Sequence, residues 1–279
     1  MTISWTKILN NYMLLFLQKM IDLLYHAMKI QKINSLIHIG GHKGQEIDSY
    51  KSLDLDKVII FEPINEFADD IENKIIDLPN FVLHRCALGN QNSEKLIYIA
   101  DKGKDDDSGS TSLKKPRNSN VTFSESRLIE VKKYSSFKYS KIDIAILDTQ
   151  GYELEVLEGF ENLINTFKFL IVEFSNYEGY KNQTIYKDLN NFLCLKNFSF
   201  VKQNKKVLKV IPTIQSGSYG DALYINNKFI NRISISKAKF KYFFLNNFLI
   251  DFFIKYTKLA FWKVKVKNLL IYFKTLTNL

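Results

Sequence analysis

The sequence has few cysteines and few prolines. Its 279 residues include two cysteines and four prolines. Cys86 and Cys194 stand far apart in apolar contexts and form no C-x-x-C pair, which argues against a disulfide framework and a zinc site. Metal-ligand spacing is also missing among His38, His42 and His84, so no metal site is predicted. This use of cysteine predicts a protein of the reducing cytoplasm.

Long apolar runs are missing as well. No stretch reaches the ~18–20 consecutive apolar residues that a membrane-spanning helix requires. Lys7 is the only cation before the apolar stretch at residues 13–17, and no small-residue cleavage site follows it. A signal peptide is therefore not predicted.

The middle of the chain has no net positive charge. The net charge is +10, yet residues 229–279 hold ten Lys or Arg against Asp251 alone and contribute +9, and residues 1–32 contribute +3. Residues 33–228 therefore carry −2. A nucleic-acid partner is not predicted for this part of the chain.

The C-terminal segment, residues 229–279, interleaves its cations with Phe, Tyr and Trp side chains. This pattern is typical of a helix that lies at an anionic membrane surface, so a peripheral position on the inner face of a membrane is one interpretation. The same composition fits a helix that packs on the domain or on a second copy of the chain. Both interpretations, membrane contact and homo-oligomer, stay open.

The patterns divide the chain into an amphipathic helical extension (1–32), a domain (33–228) and a basic aromatic helical tail (229–279). Strand-like segments alternate with helical patterns such as 186–195, which favours an α/β fold with a doubly wound, mostly parallel sheet. Residues 101–126 read as a long polar loop. The predicted strands are 36–39, 57–62, 81–88, an exposed one at 95–100, then 144–147, 169–174 and an antiparallel edge pair at 198–201 and 222–225.

A glycine-rich turn follows the first predicted strand. Gly40, Gly41 and Gly44 let the backbone approach a ligand and leave N–H donors free at a helix N-terminus. The spacing G-x-x-x-G is weak evidence, since it is neither the dinucleotide fingerprint nor a P-loop. Glu62 ends the next strand about 20 residues later, where nucleoside-binding α/β units place an acid for the ribose hydroxyls.

Residues 142–159 are the most informative stretch. An apolar strand over 144–147 ends in Asp148, a Thr-Gln-Gly turn follows, and Glu153 begins a helical pattern. A buried parallel strand that ends in a carboxylate is how open α/β sheets build ligand sites. Alone, this could be any βα unit. Combined with the glycine turn and Glu62, it favours a ligand site.

Six segments resemble the FkbM-type S-adenosylmethionine-dependent methyltransferases, in the family's order and within residues 33–228. They are I-H-I-G-G-H-K-G-Q-E (37–46), I-F-E-P (60–63), A-L-G-N (87–90), L-D-T-Q-G-Y-E-L-E-V-L-E-G (147–159), I-V-E (171–173) and Y-G-D-A-L-Y-I (219–225). The resemblance implies a seven-stranded Rossmann-like sheet, S-adenosylmethionine as cofactor, and O-methylation of a hydroxyl on a sugar, a surface glycan or a natural product. Spacing alone does not distinguish oxygen from nitrogen as the acceptor.

The resemblance also implies roles for single residues on the cofactor side. Gly40, Gly41, Gly44 and Ala87 are expected at the cofactor, and Glu62 is expected to bind its ribose hydroxyls.

On the acceptor side, Asp148 and Glu173 end two later strands and are expected to converge. Asp148 is predicted to lie nearest the reacting oxygen, as a base or as an orienting group. Glu173 is equally compatible with a structural role, and the helix dipole favours a structural role for Glu153.

Two other functions fit part of the sequence. A non-catalytic cofactor-binding or scaffold protein is suggested by His38, which stands where the family has an acid, although Glu62 and Asp148 argue against it. His38 itself reads as a core histidine, and His42 as either a ligand-facing or a solvated side chain. An NAD-dependent enzyme is disfavoured, because G-x-G-x-x-G is missing.

Overall fold

The computed structural model describes residues 20–101, 107–117, 121–139, 141–207 and 218–229. Ten strands are formed: β1 (Ser35–Ile39), β2 (Lys57–Phe61), β3 (Phe81–His84), β4 (Ala87–Leu88), β5 (Ser93–Ile99), β6 (Glu125–Lys132), β7 (Ile144–Leu147), β8 (Phe169–Ser175), β9 (Phe198–Val207) and β10 (Ser218–Asn226). The helices are α1 (residues 20–30), α2 (Ile47–Lys51), α3 (Asn65–Ile75), α4 (Glu153–Gly159) and α5 (Tyr186–Leu195).

Seven strands form the main sheet in the order β3-β2-β1-β7-β8-β10-β9. The first five are parallel, and β10 pairs antiparallel with both β8 and β9. The predicted α/β class, the mostly parallel seven-stranded sheet and the antiparallel edge pair are confirmed. The chain winds outward from β1 on one side and from β7 on the other, so the strand order reverses between these two neighbours.

The central strands are apolar because both of their faces are covered. Every residue of β1 and of β7 is buried, as expected for strands with helices on both sides. On one face, side chains of β1 and β7 share a cluster with α4 and α5; on the other, Tyr50 of α2 contacts His38. The helix predicted after the glycine turn (α2), the one predicted from Glu153 (α4) and the one predicted at 186–195 (α5) are all present.

A second, three-stranded sheet, β4-β6-β5, corrects two predictions. The segment 81–88 was predicted as one strand, but it divides at Arg85, which turns outward to the carboxylates of Asp69 and Glu72, so that β3 and β4 join different sheets. The predicted loop also ends too late, because Glu125 already opens β6, which pairs antiparallel with the predicted strand β5.

The two predicted extensions are described only in part. The α1 side chains Met20, Ile21, Leu23, Leu24 and Ala27 are buried. Residues 1–19 and the tail from residue 230 onward lie outside the described residues, so the predictions for them stay predictions. Within the described ranges, no helix is long and apolar enough to cross a membrane.

Candidate functional site

The candidate site lies where the strand order reverses, at the carboxyl ends of β1 and β7. The loop after β1, residues 40–46, is called the glycine loop, and the loop after β7 is called the 148–151 loop. The two loops touch: Gly40 has a φ of +89°, and a Cβ there would lie 1.9 Å from the backbone oxygen of Asp148. Only glycine tolerates both the conformation and the approach.

The sequence predicts that the glycines leave backbone N–H donors free for a ligand, and this prediction is wrong. The N–H groups of Gly40 and Gly41 both donate to the carbonyl oxygen of Phe61, at 2.9 and 3.1 Å, and Gly44 N–H donates to Gly41 O at 2.8 Å. The ammonium of Lys74 in α3 donates to the carbonyls of Lys43 and Gly44. The loop is therefore closed by hydrogen bonds to β2, to α3 and within itself.

Glu62 follows β2 directly and is 4% exposed. Its Oε2 accepts the backbone N–H of His42 at 2.7 Å, and its Oε1 accepts that of Ile64 at 2.8 Å. Burial raises the pKa of Glu62 to about 8, although both backbone donors oppose the shift. The carboxyl group is thus fixed against the glycine loop, and its predicted contact with ribose hydroxyls stays a prediction.

Two histidines of the first motif have structural partners. His42, with a φ of +45°, packs edge-on against Phe67, and its Nε2 lies 2.9 Å from Ser108 Oγ. His38 is buried, as a core histidine should be, with Nδ1 3.2 Å from the Tyr50 hydroxyl. Its Nε2 has no partner among the described residues. Burial lowers the pKa of His38 to about 4, so its imidazole is neutral.

The sequence predicts that Asp148 and Glu173 converge. In the structure the side chain of Gln150, from the Thr-Gln-Gly turn, joins them. The amide nitrogen of Gln150 donates to Asp148 Oδ1 at 2.7 Å and to Glu173 Oε2 at 2.9 Å. Asp221 stands directly opposite Glu173 in the β8–β10 ladder. Burial, followed by the charges of Asp148, Glu153 and Asp221, raises the pKa of Glu173 well above its usual range.

Glu153 at the start of α4 holds the 148–151 loop. Its Oε1 accepts the N–H groups of Thr149 and Gly151, both at 3.1 Å, and the Thr149 hydroxyl at 3.0 Å. Burial raises the pKa of Glu153 to about 7. These contacts support the structural role predicted for it.

Residues 107–117 belong to the long polar loop that the sequence predicts at 101–126. In the structure they pack over the glycine loop and the 148–151 loop. Besides Ser108 at His42, the Ser112 hydroxyl donates to Gln150 O at 2.7 Å. The buried ammonium of Lys114 pairs with Glu155 at 2.8 Å. The hydroxyl of Tyr180 donates to Ser110 O at 2.8 Å. Scattered serines in a polar segment give no sequence signal for such contacts.

Another acid that the sequence reading did not single out is Glu46, the residue before α2. Burial and then the charge of Asp148 raise its pKa to about 7. Ala87 lies in β4 of the small sheet, opposite Val131, and is buried. Its predicted place at the cofactor stays a prediction. Across the described ranges, no group of three or more His, Cys, Asp or Glu side chains is arranged to hold a metal ion.

Several solved structures are similar to this chain. One is the crystal structure of methyltransferase FkbM from Methylobacillus flagellatus KT, at 16% identity and a TM-score of 0.42, over 69% of this chain and 43% of that one. Another is magnesium protoporphyrin IX methyltransferase from Synechocystis PCC 6803 with bound SAM, at 10% identity and a TM-score of 0.42, over 75% of this chain and 76% of that one. A third is TrmK from M. capricolum in complex with S-adenosyl-homocysteine, at 10% identity and a TM-score of 0.40, over 77% of this chain and 73% of that one.

The sequence itself matches a family model. No curated protein matches the sequence significantly. The model described as the methyltransferase FkbM domain matches residues 38–200, from the glycine loop through the 148–151 loop to the edge strand β9. That match takes in most of the site residues and more than half of the chain, and the protein therefore belongs to the FkbM methyltransferase family.

Proposed function

We propose that the protein transfers the methyl group of S-adenosylmethionine to a hydroxyl of a sugar, a surface glycan or a natural product. Family membership makes it a methyltransferase of the S-adenosylmethionine-dependent kind. The observation that carries the proposal is the joined pair of Asp148 and Glu173, which stands at the reversal of strand order beside the glycine loop. Ligands of open α/β sheets bind at this point.

The cofactor half of the crevice consists of the glycine loop, Glu62 and Ala87. Glu62 fits a ribose, because each of its two carboxyl oxygens accepts only one backbone N–H and keeps a second hydrogen-bonding site. These sites can bind the two ribose hydroxyls, and hydrogen bonds that the ribose donates favour the ionised form of Glu62. The backbone contacts also fix the direction in which these lone pairs point.

The acceptor half consists of the 148–151 loop, Glu173 and Asp221. The cofactor supplies a methyl group on a sulfonium, which is already a good leaving group. Asp148 then orients the acceptor hydroxyl in line with the methyl carbon or takes its proton as the oxygen–carbon bond forms and the carbon–sulfur bond breaks. Burial raises the pKa of Glu173 and so favours its protonated form, which is suited to donate a hydrogen bond to the acceptor.

Equilibrium binding tests the cofactor. Isothermal titration of the full chain should give saturable binding of S-adenosylmethionine and of S-adenosylhomocysteine, and NAD under the same conditions should give none. Binding of NAD alone would overturn the proposal. A turnover assay with hydroxyl-bearing and amine-bearing sugars then separates O-methylation from N-methylation, and a chain that binds the cofactor yet transfers no methyl to any acceptor would support the scaffold alternative.

We also propose that residues 229–279 contact an anionic membrane surface. Support comes from the sequence alone: ten cations, each worth about 1 kcal/mol near such a surface, alternate with aromatic residues. The full chain should pellet with phosphatidylserine vesicles at low salt and dissociate in part as salt is added. A chain that stays in the supernatant would favour a packing or homo-oligomer role for the tail.

A further inference from the structure

The 148–151 loop contains a strained residue. Gln150 has a φ of +51°, which is uncommon for a residue other than glycine, and Gly151 follows with a φ of +95°. Such strain persists only where surrounding contacts enforce it. Here Ser112 Oγ binds Gln150 O at 2.7 Å, and Glu153 Oε1 binds the N–H groups on either side of Gln150.

These contacts send the Gln150 side chain back toward the ends of β7 and β8. Its amide nitrogen lies 2.7 Å from Asp148 Oδ1 and 2.9 Å from Glu173 Oε2. An amide nitrogen carries two hydrogens, so one is available for each carboxyl group. The Tyr180 hydroxyl lies 3.5 Å from the amide oxygen of Gln150. The Tyr180 hydrogen is already donated to Ser110 O at 2.8 Å, so the side chain is held through its amide nitrogen.

We propose that Gln150 is a positioning residue, whose amide holds Asp148 and Glu173 together as one acid–base pair facing the methyl that is transferred. The inference rests on the proposed function. Without the amide, two neighbouring carboxyl groups would separate or share a proton directly. With it, both are held within reach of one nitrogen, and each donated hydrogen bond favours the ionised form of its acceptor.

Charged and titratable groups surround this pair on several elements. They are Glu46 before α2, Glu62 after β2, Glu153 at the start of α4, Asp221 on β10, and the hydroxyls of Tyr50, Tyr177, Tyr180 and Tyr219. Burial raises the pKa of each tyrosine, so the tyrosines are neutral, whereas the neighbouring acids disfavour a second negative charge on the pair. Donation by Gln150 opposes that tendency, so its removal should raise the pH at which the pair becomes negative.

The test measures the charge of the pair directly and requires no known acceptor. Sinefungin, an analogue of the cofactor, carries a protonated amine where the sulfonium methyl stands, whereas S-adenosylhomocysteine carries nothing there. The ratio of their affinities, measured by titration calorimetry on the full chain from pH 5 to pH 9, reports the negative charge at the methyl position.

Two variants remove the bridge in different ways. Gln150→Met keeps the length but loses both donors, and Gln150→Asn keeps an amide and tolerates positive φ but is one methylene too short. Both should lower the ratio of sinefungin affinity to S-adenosylhomocysteine affinity at pH 7 by about ten-fold or more. The midpoint of the pH profile of this ratio should move upward by about one pH unit. Gln91→Met, at an exposed turn residue between β4 and β5, is the matched control and should match wild type.

The outcomes are distinguishable. If the wild-type chain binds neither analogue, the proposed function fails and the inference fails with it. If both Gln150 variants bind S-adenosylhomocysteine normally and keep the wild-type ratio and midpoint, Gln150 does not position the pair. If both lose S-adenosylhomocysteine binding, Gln150 belongs to the cofactor site or to the folding core, and the positioning role is overturned.

Discussion

The two halves of the crevice fix their carboxyl groups by different means. In the cofactor half, Glu62 accepts two backbone N–H groups, and the glycine loop is closed by backbone hydrogen bonds. In the acceptor half, Asp148 and Glu173 are held by the side-chain amide of Gln150. Backbone contacts depend on the fold, whereas side-chain contacts depend on residue identity. The acceptor half can therefore change with the sequence while the cofactor half stays the same.

The largest effect is expected at the acceptor half. Asp148→Asn should keep the fold, since the asparagine oxygen still accepts from Gln150, but it should lower turnover by about 10²–10⁴ because the base or orienting charge is lost. Turnover is measured with any acceptor that the wild type methylates, and cofactor affinity is measured alongside it.

Asp143→Asn is a matched control on the other edge of the sheet. Asp143 precedes β7 and pairs with Lys168 at 2.7 Å, so its loss should affect stability and leave the turnover of the folded fraction unchanged. Equal losses of turnover in the two variants would reduce Asp148 to a structural residue.

The junction between the halves should be sensitive to a single methyl group. Gly40→Ala places a Cβ against the backbone oxygen of Asp148 in a conformation that alanine avoids. We expect a loss of about 2 kcal/mol or more in the free energy of unfolding, measured by urea denaturation. A Cβ on Gly109 meets nothing within 4 Å, so Gly109→Ala should be nearly neutral. Equal stability of the two variants would show that the loops can separate.

How far the sequence predicts this site depends on the kind of contact. The strands and the positions of Glu62 and Asp148 follow from apolar runs and from the rule that ligands bind at strand ends. The prediction that the N–H groups of Gly40 and Gly41 stay free for a ligand is wrong. Their acceptor, Phe61 O, lies on another strand, which the local sequence does not show. The bridge formed by Gln150 depends on a positive φ and on Ser112, 38 residues away, which no local pattern encodes. Strand β6 was missed because it lies at the surface of the small sheet, with Leu128 exposed.

The cofactor half should respond to loss of its carboxyl group in binding rather than in turnover. Glu62→Ala removes the partner of two ribose hydroxyls, and two hydrogen bonds of about 0.5–1.5 kcal/mol each are lost, so S-adenosylmethionine binding should weaken by about ten-fold or more in titration calorimetry. Glu72→Ala removes an exposed glutamate that pairs with Arg85 and should bind as wild type does. Wild-type affinity in Glu62→Ala would remove the ribose assignment and leave Glu62 as a brace for the glycine loop.

A pH dependence of stability should separate the halves further. Glu62 has a pKa of about 8 in the folded chain, above the ordinary value near 4.5, so the folded state binds its proton more tightly than the unfolded state does. Between these two values the unfolded chain binds fewer protons, and the free energy of unfolding falls as pH rises. The contribution of Glu62 is at most about 1.4 kcal/mol per pH unit in that window and levels off above pH 8.

Urea denaturation of the ligand-free chain at pH 6, 7, 8 and 9 should show this decline, and Glu62→Ala should flatten it between pH 6 and 8. Because burial also raises the pKa of Glu173, part of the decline should persist in Glu62→Ala and belong to the acceptor half. If Glu62→Ala keeps the full wild-type slope, the two backbone N–H groups hold Glu62 ionised at neutral pH, and the other buried acids, Glu46, Glu153 and Glu173, carry the titration.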